Sequence, residues 1–225
     1  LSGLNAAATD LTVTGNSGRT TTVDVAASGI IEVLGVYSVS GSGTINTSWS
    51  STSTLYLDSD TNQSLPVDTY SGTVKLGRLT GTDTTTYTLS GATSITALTI
   101  EQYATLAAST YNLTLTGNMA NAGSFDGASG TVTFTGTTAL SGAGPYQFND
   151  VTISGTLTHN SSNTINVAGD WTNNGTFTSS KTVAFNGTGS AIQGANDTTF
   201  GSMSVASGST VTSAAWKKAA NSLGG

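Results

Sequence analysis

The feature that most constrains this chain is that it repeats itself about 52 residues on, in short runs where apolar residues alternate with Thr or Ser. Leu113, Leu115, Gly117, Gly123 and Phe125 return as Ile165, Val167, Gly169, Gly175 and Phe177. Val132, Phe134 and Gly136 return as Val183, Phe185 and Gly187, and Phe148, Val151 and Ile153 return as Phe200, Met203 and Val205. Alternation with a period of two marks a strand that buries one face, and a fixed longer period marks a stacked architecture. Asn-Gly pairs such as Asn174-Gly175 and Asn186-Gly187 punctuate the runs and supply the conformations that tight corners need.

These features predict an all-β chain folded as a parallel β-solenoid, or β-helix. A unit of about 52 residues is long for one coil, so two coils of about 26 residues per repeat are expected, giving eight or nine coils and a rod about 40 Å long. The predicted solenoid runs over 1–213 as a single unit. The repeat is clearest over 89–208, and 1–88 is a diverged stretch anchored by the match of Leu11-Thr12-Val13-Thr14-Gly15-Asn16 to Leu113-Thr114-Leu115-Thr116-Gly117-Asn118. Residues 214–225, with Lys217 and Lys218 where alternation calls for apolar residues, read as a C-terminal cap or tail that blunts an open sheet edge. The interval Leu76 to Tyr87 is an extra stretch, expected to be a corner loop and a candidate contact surface. A small β-propeller is the rival architecture, because a four-stranded blade also takes about 50 residues; a β-sandwich is a further alternative.

Composition enters where function is at stake. Ser and Thr make up about a third of the 225 residues, whereas charged residues are only 8%. Such polar composition often goes with disorder, but here the strict alternation argues for a fold. The net charge is −6, and the only cations are Arg19, Lys75, Arg78, Lys181, Lys217 and Lys218. They form no basic stripe, so nucleic acid is not an expected partner. No apolar run is long enough to predict membrane insertion. With no cysteine, thiolate metal sites and thiol nucleophiles are excluded. The chain starts at Leu1 rather than Met, which reads as a processed product or a piece of something longer, expected outside the cell or on its surface.

Catalysis requires titratable groups brought together, and they are sparse. The one histidine, His159, sits in the turn-like run Thr158-His159-Asn160-Ser161 and reads as an exposed turn residue. Asp126, Asp150, Asp170 and Asp197 fall at predicted corners with only Lys181 as a neighbouring base, which fits poorly with polysaccharide-cleaving β-helix chemistry. No enzyme activity and no catalytic residue is expected. Asp58, Asp60 and Asn62 have the alternating oxygen spacing that opens a calcium loop, with Ser64 and Asp68 following, yet Gln63 stands where that loop needs Gly and no Glu closes it. Calcium is the one cofactor this pattern admits, against a plain solvated loop. Trp171 takes the place of Met119 one repeat earlier and reads as core, whereas Trp49 and Tyr87 are aromatics without an obvious packing role. Thr pairs at Thr12/Thr14, Thr114/Thr116 and Thr131/Thr133 could stack into an ice-binding array, although insertions between coils would disturb it.

The runs Asn163-Thr164-Ile165-Asn166-Val167-Ala168-Gly169-Asp170-Trp171-Thr172-Asn173-Asn174-Gly175-Thr176-Phe177 and Lys181-Thr182-Val183-Ala184-Phe185-Asn186-Gly187-Thr188-Gly189 resemble the repeats of large bacterial β-strand-repeat surface proteins, a group similar to filamentous-haemagglutinin-like and autotransporter-like adhesins. The resemblance covers about Leu89 to Gly208. It implies a secreted β-helical stalk or adhesive fibre and carries no ligand signature. The expected function is therefore structural: a self-associating rod, a filament or sheath subunit, or an adhesin stalk, joined through terminal coils or strand exchange. A glycan-binding or ice-binding solenoid is the alternative, with cell-surface glycans as possible ligands.

Overall fold

The alternating runs become strands wherever the sequence repeats apolar-x-apolar, and in the computed structural model every strand pairing is parallel. The structure describes residues 5–213 apart from positions 43 and 79; the predicted cap at 214–225 lies outside the described residues. The chain winds through three faces in constant order. The first face stacks strands such as Leu11–Gly15, Tyr37–Gly41, Gln63–Leu65, Thr85–Leu89, Ala104–Ala107, Tyr146–Phe148 and Ser202–Val205. The second stacks Thr20–Val25, Thr44–Trp49, Leu113–Leu115, Thr131–Phe134, Asp150–Ile153 and Trp171–Asn173, and the third stacks Ile30–Val33, Thr54–Leu57, Met119–Asn121, Thr137–Ser141 and Thr156–His159. Two eight-residue strands, Thr69–Leu76 and Thr93–Ile100, run round the corner from the second face to the third and join these faces into one sheet; their pairing shifts register at the corner, between Ile95 and Ala97. The result is a β-solenoid of about ten turns, not a propeller or sandwich. At the usual spacing between strands the stack is about 45 Å long.

The expected coil arithmetic is corrected by the register. Early coils take about 24 to 26 residues, as Leu11 opposite Tyr37, Thr20 opposite Thr44 and Gln63 opposite Tyr87 show. Later coils take about 18 to 21, as in Tyr87 opposite Leu106, Phe125 opposite Tyr146 and Ile165 opposite Val183. A step of about 52 residues is therefore not two coils but about two and two-thirds. Leu113 and Val132 lie on the second face, while their sequence counterparts Ile165 and Val183 lie on the first. The physical reason is that all three faces impose the same rule, one side chain in and the next out, followed by a bend. Any eight consecutive thirds of a turn then resemble the next eight.

Inward residues line up in files along the rod. On the first face Tyr87, Leu106, Phe125, Tyr146, Ile165, Val183 and Met203 follow one another coil by coil. On the third face Leu55, Val74, Leu98, Met119 and Leu140 do the same. All are buried, and each large apolar side chain contributes roughly 1.5–3 kcal/mol by leaving water. Aromatic rings thicken the C-terminal half of this core, where Trp171 meets Phe177 at 4.8 Å and Phe200 at 5.5 Å between ring centres.

Corners are closed by a recurring device. The side-chain oxygens of Asp10, Asn62, Asn112, Asn118, Asp150, Asp170 and Asn174 accept hydrogen bonds from the backbone N–H groups of Val36, Thr86, Thr131, Ala139, Asp170, Ala191 and Ala195 in the adjoining coil, at 2.7–3.0 Å. Glycine is required where the backbone turns most sharply against its neighbour: at Gly142, φ is +95° and a Cβ would lie 2.2 Å from the Asn121 carbonyl oxygen.

Candidate functional site

Asp58 and Asp60 follow the strand Thr54–Leu57 at the corner between the third and first faces, and they do converge, but on a cation of the chain itself. Arg78 lies 3.6 Å from Asp58 and 3.7 Å from Asp60. Asn62 points elsewhere, its Oδ1 accepting from the Thr86 N–H at 2.7 Å. Asp68 belongs to a separate cluster: it accepts from the Thr47 hydroxyl and from the Trp49 indole N–H at 2.8 Å. The calcium-like spacing thus becomes an ion pair, a coil-to-coil bond and a core-edge cap. Among the described residues no group of three or more His, Asp or Glu side chains gathers in one place.

Arg78 opens the insertion flagged at Leu76 to Tyr87. Leu76 and Tyr87 are themselves fully buried, so the loop proper lies between them. The Tyr87 hydroxyl donates to the Leu57 carbonyl at 2.8 Å, and burial pushes its pKa up to about 12. Trp49, the other aromatic without an evident role, is only 7% exposed and packs its ring 5.3 Å from Tyr70. Both are core residues. The sequence signal was present in their parity: each occupies an inward position of its strand.

His159 overturns its surface reading. It is 1% exposed, on the inward side of the strand Thr156–His159, and stacks on Leu140 of the preceding coil. The Asn163 carbonyl oxygen, 2.9 Å from Nε2, can only accept, so Nε2 carries the proton and Nδ1 accepts from the Ser179 hydroxyl at 3.0 Å. Burial, with Lys181 adding to it, holds the imidazole pKa below its usual value despite the opposing effect of the Asn163 carbonyl.

Three of the four corner carboxylates, and the backbone of the fourth residue, are also engaged in structure. Asp150 and Asp170 bond to the next coil, Asp126 accepts from the Ala128 N–H at 2.9 Å, and the Asp197 backbone carbonyl accepts from the buried Asn173 amide at 2.8 Å. That last bond has a twin 52 residues earlier: Asn121, also buried, donates to the Pro145 carbonyl at 2.8 Å. The pair was readable from the sequence, since both asparagines follow the inward residues Met119 and Trp171 by two.

Two of the concave regions bear on function. A groove of about 410 Å³ at the first-to-second corner is lined by Val67, Asp68, Thr69, Ser94, Asn112 and Thr114, and exposed Tyr111 adjoins it in sequence. An apolar recess of about 400 Å³ opens in the N-terminal coils among Ala8, Leu11, Val13, Val23 and Ile31. No protein-family model, curated protein sequence or solved structure matches the chain.

Proposed function

We propose that the chain is a non-catalytic structural repeat protein, extracellular or displayed on a cell surface, that serves as a rigid self-associating rod, a filament or sheath subunit, or an adhesin stalk. One observation carries this reading: a single parallel stack of about ten turns whose side chains are spent on the core and on coil-to-coil bonds. A parallel stack presents different edges at its two ends, so end-to-end contact is heterologous and propagates rather than closing. In the N-terminal coils the recess among Ala8, Leu11, Val13, Val23 and Ile31 leaves apolar groups open, which favours burial against another coil. A cell-surface glycan would rest in the groove beside Asp68 and Asn112, where hydroxyl, amide and carboxylate groups adjoin apolar Val67.

The test is a concentration series followed by light scattering and electron microscopy. Rods that lengthen in multiples of the single stack are expected. Stable monomers at every concentration overturn the self-associating part of the reading.

A further inference from the structure

The outer side of the second face is a two-dimensional array of hydroxyl groups. Ser94, Thr114, Thr133, Thr152 and Thr172 stand directly beside one another on successive coils, paired in an unbroken parallel register. A second file, Thr96, Thr116, Thr135 and Ser154, runs two residues further along each coil; the Thr116 hydroxyl lies 3.2 Å from that of Thr96. Strand geometry sets the spacing of the first file at about 4.8 Å along the rod, and Thr116, Thr135 and Ser154 of the second file lie just past the ends of the strands Leu113–Leu115, Thr131–Phe134 and Asp150–Ile153. The insertions that would have spoiled this lattice lie elsewhere: the long coils are N-terminal, and the 77–84 loop leaves from the corner between the third and first faces.

Three further observations give the array a chemistry. Thr114, Thr133 and Thr152 are partly buried residues whose hydroxyls bond to no other described protein group. Both files lack charged and aromatic side chains, so they offer neither an ion-pairing site nor a stacking platform for sugars. The charges that flank them, on Asp150 and Asp170, are turned onto backbone N–H groups of the next coil. What remains is a regular lattice of hydroxyl groups, most of them paired with a methyl, which adjoins the groove at its Ser94 and Thr114 end. Methyl groups restrict the orientations of the water over them, and fixed hydroxyls anchor that water at regular intervals.

We propose that this face binds ice, through a layer of water held over its regularly spaced hydroxyl and methyl groups. The ligand is crystalline water itself. The rod reading of the whole chain is not required, because the array is complete within one copy.

The test compares the full chain with Thr133→Tyr, Thr152→Val and, as a control on the outer side of the first face, Thr105→Tyr. Each is assayed for thermal hysteresis, for inhibition of ice recrystallisation and for uptake of the fluorescently labelled protein into a growing ice hemisphere. Circular dichroism melts verify that each variant is folded. The expected result is activity in the parent and in Thr105→Tyr, loss in Thr133→Tyr and reduction in Thr152→Val. If Thr133→Tyr fails to fold, Thr152→Val decides. Absence of ice activity in the folded parent overturns the proposal, as does activity that survives both second-face substitutions. Retention on crystalline polysaccharide without any ice activity overturns it in favour of a glycan surface.

Discussion

At the scale of single residues, polar side chains on inward positions set the chemistry of this interior. His159 ends a file of apolar residues, and burial favours its neutral form, with Lys181 adding to the effect and the Asn163 carbonyl opposing it. Its folded pKa lies below the unfolded value of about 6.5, so the unfolded chain takes up the proton first as pH falls. The stability attached to this group is therefore fully present above about pH 6.5 and is lost as pH drops from there towards the folded pKa. Urea midpoints measured between pH 7.5 and 5 are expected to fall for the parent and to lose that part of the slope in His159→Gln; a midpoint equally flat in both contradicts the assignment. His159 was misread because Asn160 and Ser161 look like a turn. Parity, counted from Leu157, places it inside, and a strand end lets a corner carbonyl satisfy it. Asn121 and Asn173 obey the same logic, each reaching a carbonyl across a corner.

At the scale of the strand and its bend, alternation specified which side chain goes in, and it did so for almost every described strand. It did not specify which face a strand joins, because all three faces ask for the same pattern. Hence the parallel solenoid was legible while the number of residues per coil was not: the strongest self-match joins Leu113 on one face to Ile165 on another. The Arg78 partner of Asp58 and Asp60 was not legible for a related reason, since Arg78 is distant in sequence and is brought back by the winding of one coil. The same geometry makes strands and bends respond differently to insertion. One extra residue between Gly81 and Thr82 is expected to leave the melting temperature nearly unchanged, because the loop there is exposed. One extra residue between Val132 and Thr133 reverses the parity of everything after it in that strand and turns Phe134 outward, removing roughly 2 kcal/mol or more of burial. Thermal denaturation of the two insertion variants measures the contrast; equal losses would contradict the register.

At the scale of the whole molecule, stability is distributed unevenly along the rod. From about Leu55 to Phe200 the inward files are almost wholly sealed, whereas Leu11, Val23, Ile31 and Ile45 near the N-terminal end are only partly buried. In a stack, each coil is stabilised chiefly by its neighbours, so the least sealed end opens first. Amide hydrogen exchange is expected to be fastest in the strands Leu11–Gly15 and Thr20–Val25 and slowest in Leu113–Leu115 and Asp150–Ile153. Uniform protection along the chain would contradict this gradient, and slowing of the N-terminal strands at high protein concentration would locate the association edge.

The coil-to-coil bonds in which an Asp or Asn oxygen receives a backbone N–H at a corner have a direction. In all seven cases the acceptor side chain lies in the earlier coil and the backbone N–H that it receives lies in the later one. Each completed turn therefore holds out acceptors for the turn that follows it. These seven side-chain bonds thus give the rod a polarity that its strands share, so that its two ends are chemically unlike.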